Sequence, residues 1–320
     1  MSLWSDYQAT LKSVDVEEPV DLWLHRPAAF VLVLMLMPTP ISPNVVTLAS
    51  IAAGFCAAFA VVSDFSGHMP LAGALVFLSA VFDCADGQLA RRRGTSSRFG
   101  RMLDGSADLI VSMALVIATA VLMWRRHGDD WQSGVVMGTV LLLTAVSCSH
   151  HTFLYDHYKN IYLRFTSESF GDNDQYDAAC LRYEKENSNM DLVSRVAGFL
   201  YLVHLGGQKS ALRLYDRETT TQLMNLPAYS EANAEIYRRH ALPVLRHWRS
   251  GFGFGSLVFS IALALGFDAV GYLVVLRLGI YNLYLHMYLA PKQRRASRAA
   301  FDELGLSVEE LENAPTPQPS

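Results

Sequence analysis

The chain has 320 residues, 51% hydrophobic and 18% charged, with positive mean hydropathy, whereas soluble domains carry roughly a quarter charged residues. Its apolar residues gather in blocks of about 18 or more, the length that crosses a hydrocarbon core of about 30 Å as helix, so the pattern predicts a membrane protein. A net charge of −4 with no basic face excludes a nucleic-acid partner. The four scattered cysteines, Cys56, Cys84, Cys148 and Cys180, exclude a paired zinc or redox motif and read as small buried packing residues.

The N-terminus has no basic region leading into an apolar core and cleavage site, so it does not read as a secretory signal and is expected to stay on the mature protein. The first apolar run, 28–37, is too short to span and predicts an interfacial helix. Pro38, Pro40 and Pro43 then enforce an irregular connection. Spanning helices are expected at 44–63, 71–90, 101–124, 131–155, 252–267 and 270–290. The fold class is therefore an all-α integral membrane protein: six transmembrane helices, an N-terminal interfacial helix and a helical insertion. The segments are 1–42, 43–155 with the chemistry, the polar insertion 156–249, 250–290, and a tail 291–320 that ends Pro-rich and disordered.

Orientation follows from the loops. Arg91, Arg92, Arg93, Arg98 and Arg101 join the second span to the third, and Lys292, Arg294, Arg295 and Arg298 follow the sixth; only Arg125 and Arg126 oppose them. Basic loops stay in the cytoplasm, which places both termini, the insertion and the loop after the second span there.

Four aspartates flank that loop. Asp83 and Asp86 are three apart at the end of the second span, and Asp104 and Asp108 four apart at the start of the third, so each pair shares a helix face and the hairpin brings the pairs together. A carboxylate deep in a membrane costs at least about 2.5 kcal/mol, so a neutralising partner is required. Hard divalent cations meet that need, and magnesium or manganese suits an all-oxygen set where zinc would want His or Cys. Helix capping would explain Asp104 and Asp108, but Asp83 and Asp86 stand at a C-terminus, where the helix dipole repels them. Gly87 and Ala90 continue the first pair's face with small side chains, and Arg91 can fork onto a phosphate. The set describes a diphosphate site.

Asp83, Asp86, Gly87, Ala90, Arg91, Gly100, Asp104 and Asp108 reproduce D-x2-D-G-x2-A-R-x8-G-x3-D-x3-D. This resembles the class I CDP-alcohol phosphotransferase (CDP-alcohol phosphatidyltransferase) family of phospholipid synthesis, and "SPNVVT" is similar to its Pro-Asn-x-x-Thr. The resemblance does not cover the insertion. It implies transfer from a CDP-linked donor to an alcohol acceptor with release of CMP. It also implies two metal ions held by Asp83, Asp86 and Asp104, with Asp108 shared or serving as general base. Asn44, Thr47, Asp83, Gly87, Ala90, Arg91 and Gly100 would form the CDP site, and membrane lipids and a second copy of the chain would be partners.

The donor stays open between CDP-diacylglycerol, slightly favoured, and a soluble CDP-alcohol of the choline, ethanolamine or inositol type meeting a lipid acceptor. Arg277, mid-membrane in the sixth span, reads either as an acceptor contact or as one half of a buried ion pair. His150 and His151 read as interface or acceptor residues; being adjacent on a helix, they point to different faces. A divalent-cation transporter would also need intramembrane aspartates, but not the glycines, alanine and arginine at fixed offsets.

Overall fold

The structure, a computed structural model, describes residues 3–11, 13–95, 97–127, 130–168, 176–186, 190–216, 227, 229–249 and 256–306. Every regular element among them is helical. A short helix α1 (Leu3–Ala9) precedes a π-helical turn at Asp21–His25 that leads into α2 (Arg26–Leu36). Then come α3 (Pro43–Val62), α4 (His68–Arg93), α5 (Arg98–His127) and α6 (Trp131–Thr166). The insertion contributes α7 (Tyr176–Glu186), α8 (Leu192–Tyr215) and α9 (Glu231–Trp248). Helices α10 (Ser256–Leu265) and α11 (Phe267–Glu303) complete the bundle.

Among the described residues, α3, α4, α6, α11 and residues Met102–Arg126 of α5 are five helices long and apolar enough to cross a membrane. The remaining expected span, 252–267, begins outside the described residues and is seen as the ten residues of α10.

Small residues let the spanning helices approach closely, as in membranes where packing replaces hydrophobic drive. Ala57, Ala60 and Val61 of α3 meet Ala72 and Val76 of α4, Leu115 and Ala118 of α5, and Leu263 of α10. Ser50 and Ser79 exchange hydroxyl-to-carbonyl hydrogen bonds of 2.9 Å in both directions, tying α3 to α4. At Gly73, a Cβ would stand 2.4 Å from the Ser260 carbonyl oxygen of α10, a backbone atom that cannot swing away. Gly73→Ala is therefore expected to destabilise the bundle by about 1–3 kcal/mol, read as a lower denaturant midpoint in micelles. An unchanged midpoint would mean that α10 does not pack there.

The cysteines depart from expectation. Cys56 is exposed and Cys84, Cys148 and Cys180 are only partly covered. Cys56 shares the outward face of α3 with Phe55 and Phe59; a lipid-facing position satisfies a small apolar side chain as well as a core does.

Two spans also outrun their predicted ends. Helix α6 continues to Thr166 and α11 to Glu303, because Tyr158, Ile161, Tyr162 and Phe165 find partners in Tyr237, Val244, Leu245 and Trp248 of α9 and in Leu289, Ala300 and Phe301 of α11. Val16, from the segment before α2, belongs to the same core. Much of the polar insertion is thus built onto extensions of the spans.

Candidate active site

Helix α4 ends at Gly94, whose φ of 64° lets the chain reverse. Its amide and that of Thr95 bond back to the Arg91 and Ala90 carbonyls, closing the helix so that α5 returns alongside. This reversal sets the two aspartate pairs opposite each other. One carboxylate oxygen from each of Asp83, Asp86 and Asp104 lies within 4.8 Å of the other two. Asp86 is buried, at 5% exposure, and Asp83 and Asp104 are partly covered. Asp108, one turn further along α5, is outside that triad among the described residues and is exposed.

The start of α3 supplies the neighbours. The Thr47 hydroxyl donates to Asp86 Oδ2. Asn44 stands beside Gly100, where an added Cβ would meet its Oδ1 at 3.5 Å. The Pro-Asn-x-x-Thr segment and both halves of the aspartate signature therefore converge, although some 60 residues separate Asn44 from Asp104.

The arginines serve less uniformly than the loop alone foretold. Arg91 lies over Gly87, whose added Cβ would meet Nη1 at 3.3 Å, so the small-residue face expected to be open is roofed by this guanidinium. Arg91 Nε donates to the Thr10 carbonyl at 2.6 Å. Arg92 pairs with Asp6 at 3.3 Å. Arg93 donates to the Leu36, Thr39 and Ile41 carbonyls at 2.7, 2.8 and 2.5 Å, closing the end of α2 and fixing the proline-rich connection.

The residues present fit a divalent cation. Asp83 Oδ1 is buried and meets no hydrogen-bond donor among the described residues. Nor does any described lysine or arginine side chain form an ion pair with Asp83, Asp86 or Asp104; Arg92 and Arg26 pair with Asp6 and Glu17 instead. The converging ligand atoms are all carboxylate oxygens, the donor set of a hard cation.

Sequence reasoning missed the segment before α2, which straps this end of the bundle. Besides Arg91 and Arg92, it is held by Tyr155, whose hydroxyl donates to the Val16 carbonyl, by Tyr162 on Asp15 at 2.7 Å, and by Arg249 on the Val14 carbonyl at 2.6 Å. Glu17 pairs with Arg26 at 2.7 Å, both nearly buried. The acidic run Asp15, Glu17, Glu18 and Asp21, facing so many loop arginines, was the available signal.

Glu18 lies among Asp21, Glu17, Asp156 and Lys159. Burial, then the charge of Asp21, pushes its carboxyl from 4.5 up to about 7. The unfolded strap releases this proton near 4.5, so between there and about 7 raising the pH favours release of the strap, and above about 7 the whole penalty is present. Hydrogen exchange of residues 13–25, corrected for intrinsic rates, is expected to be slower at pH 5 than at pH 8, with the difference lost in Glu18→Gln. A difference that survives in Glu18→Gln would assign the effect to another group.

The three acceptor candidates lie between α6 and α11. Arg277 is buried, donates from Nη2 to the Ser147 carbonyl at 2.5 Å and covers the Tyr281 ring at 4.2 Å. It opens a π-helical turn, Arg277–Tyr281. His151 stacks on Tyr281 and bonds its hydroxyl, while His150 faces Tyr215 instead; the two histidines do point apart. Near the end of α6, Lys159 pairs with Asp156 at 2.5 Å.

A helical membrane bundle with a carboxylate triad at one end is the class that fold and site define. Residues 40–161 match the family described as CDP-alcohol phosphatidyltransferase, and this part of the chain is a domain of that family. Over 109 residues the chain is 32% identical to a phosphatidylinositol phosphate synthase of Mycobacteroides abscessus, covering 34% of this chain and 48% of the relative. The corresponding protein of Corynebacterium glutamicum is 32% identical over 111 residues, 35% and 49% of the two chains. A CDP-diacylglycerol–glycerol-3-phosphate 3-phosphatidyltransferase of Escherichia coli is 50% identical over 64 residues, 19% and 32%. The chain thus spans about half the length, or less, of these curated relatives.

Proposed function

We propose that this protein is a phosphatidyltransferase that moves a substituted phosphate from a CDP-linked donor, CDP-diacylglycerol, to the hydroxyl of a polar alcohol, releasing CMP. The observation that carries this reading is the convergence of the Asp83–Asp86–Asp104 triad with Thr47, Asn44 and Gly100. The relatives' names, which speak of phosphatidyl transfer, support a lipid-linked donor.

In this reading Asp83, Asp86 and Asp104 would hold magnesium or manganese, two ions in all. The metal supplies charge stabilisation for the diphosphate and for the departing CMP. Thr47 fixes the Asp86 carboxylate. Arg91 offers its guanidinium to the diphosphate from above Gly87, while Asn44, Ala90 and Gly100 shape the nucleotide site. Asp108 takes the proton of the acceptor hydroxyl as that oxygen attacks the β-phosphorus. Its exposure, unlike that of Asp86, leaves it open to an incoming alcohol. The remaining catalysis is positioning.

Lys159, paired with Asp156 near the end of α6, joins Arg277, His150 and His151 as an acceptor contact. The aspartate end faces the cytoplasm: Arg91, Arg92, Arg93 and Lys292 lie at it, and Arg125 lies at the opposite end, donating to the Val62 carbonyl at 2.6 Å. A homodimer, expected from the family resemblance, belongs to the same reading and is measured as mass in detergent.

The test is CMP release by the purified protein in lipid with magnesium. CDP-diacylglycerol, CDP-choline, CDP-ethanolamine and CDP-inositol are each paired with candidate alcohols and the product identified. CMP only with CDP-diacylglycerol is expected. CMP only with a soluble CDP-alcohol would reverse the donor assignment, and ion flux without CMP release would replace the enzyme by a transporter. Arg91→Ala is expected to abolish CMP release.

A further inference from the structure

Helix α8 runs across the bundle rather than along it. Near its start, Ser106 of α5 donates to the Ala197 carbonyl at 2.8 Å, and Tyr201 packs on Gly105. Further on, Phe153 of α6 packs on Gly207 and accepts through its carbonyl from Gln208 at 3.3 Å. At its end Tyr215 bonds His286 of α11 at 2.7 Å and rests against His150 of α6. Residues 105 and 153 stand about 33 Å along α5 and α6 from the turn that joins them, at 1.5 Å per residue. They are therefore at one depth, and α8, about 36 Å long by the same rise, lies in the membrane plane at the aspartate end.

Its inner face is covered: Ala197, Gly198, Leu205, Ala211 and Leu212 are buried. Its outer face carries Leu192, Val196, Phe199, Val203 and Leu214, 47–75% exposed and all within one stripe at helical spacing. Arg195 and Arg213, both exposed, stand 18 residues apart, five full turns, on one border of that stripe. The spans that α8 crosses carry exposed apolar residues of their own, Met113 and Ile117 on α5 and Leu142 and Val146 on α6. An exposed apolar stripe of this kind marks an interaction surface. In-plane placement against spans that themselves face lipid, together with a basic border, selects the bilayer as its occupant.

We propose that α8 is an in-plane membrane helix whose Leu192–Leu214 stripe enters the acyl-chain boundary of the leaflet on the aspartate side, with Arg195 and Arg213 at its lipid phosphates. The insertion is then in part a membrane element that buttresses α5 at Gly105 and Ser106, two of the three residues between Asp104 and Asp108. This holds whichever substrates the site takes.

The test uses the full chain with its four cysteines replaced, in phosphatidylcholine–phosphatidylglycerol nanodiscs. A nitroxide is placed at Phe199→Cys, Val203→Cys or, as an aqueous reference, Glu235→Cys, which is exposed on α9. Labels at 199 and 203 are expected to relax with oxygen and be sheltered from a water-soluble nickel chelate, and the label at 235 to show the reverse. Nickel access at 199 and 203 equal to that at 235 would overturn the proposal. So would shelter from both reagents with spin–spin broadening, which would put a second copy of the chain on the stripe. If the cysteine-free protein fails to fold, Phe199→Trp with the native cysteines replaces it. Brominated lipids are then expected to remove most of the added emission, and emission unaffected by them overturns the proposal.

Discussion

Asp108→Asn is expected to release CMP about 10²–10⁴-fold more slowly than the unaltered protein, the range that loss of a general base produces. Two features make this residue the sensitive one. It lies a turn beyond the triad on α5, and it is exposed where Asp86 is buried. Asparagine keeps the volume and removes only the ability to accept a proton, so binding of a CDP ligand by the triad is expected to change by no more than a few fold. Single-turnover CMP release together with CDP-ligand titration separates the two quantities. A near-normal rate would remove Asp108 from the role of base; a lost rate together with lost binding would make it a ligand-holding residue instead.

Chelation is expected to have the other large effect. EDTA should abolish CMP release and magnesium restore it, because Asp83, Asp86 and Asp104 crowd three carboxylates together with no described lysine or arginine paired to them. The same crowding gives a readout that needs no substrate. An ion that binds only the folded site stabilises it by RT ln(1 + [L]/Kd), about 2.7 kcal/mol at a hundredfold excess over Kd, so magnesium should raise the melting temperature of the protein in micelles. Asp86→Asn, which keeps the Thr47 contact but loses the charge, is expected to lack that rise. Activity that persists in EDTA, or a magnesium-induced rise that survives in Asp86→Asn, would overturn the metal assignment.

The membrane class, most spanning helices and the aspartate signature were legible in the sequence because each is a local property: apolar length, helical spacing, a run of arginines in a short loop. The same is true of the link between Asn44, Thr47 and the aspartates, once the family's second motif is recognised. Tertiary structure decided what depends on partners distant in the chain. Residues 156–166 and 291–303 look polar when read alone, yet they extend two spans because α9 covers their apolar face. Arg91, Arg92 and Arg93 look alike in sequence, but one roofs Gly87, one binds α1 and one closes α2. The strap before α2 carries no periodicity to announce it and exists through side chains some 80 to 235 residues away. In α8 the sequence determined an amphipathic helix with one apolar stripe; which way that stripe faces was decided only by where α5, α6 and α11 hold the helix, because a helix buries the face that its neighbours can reach.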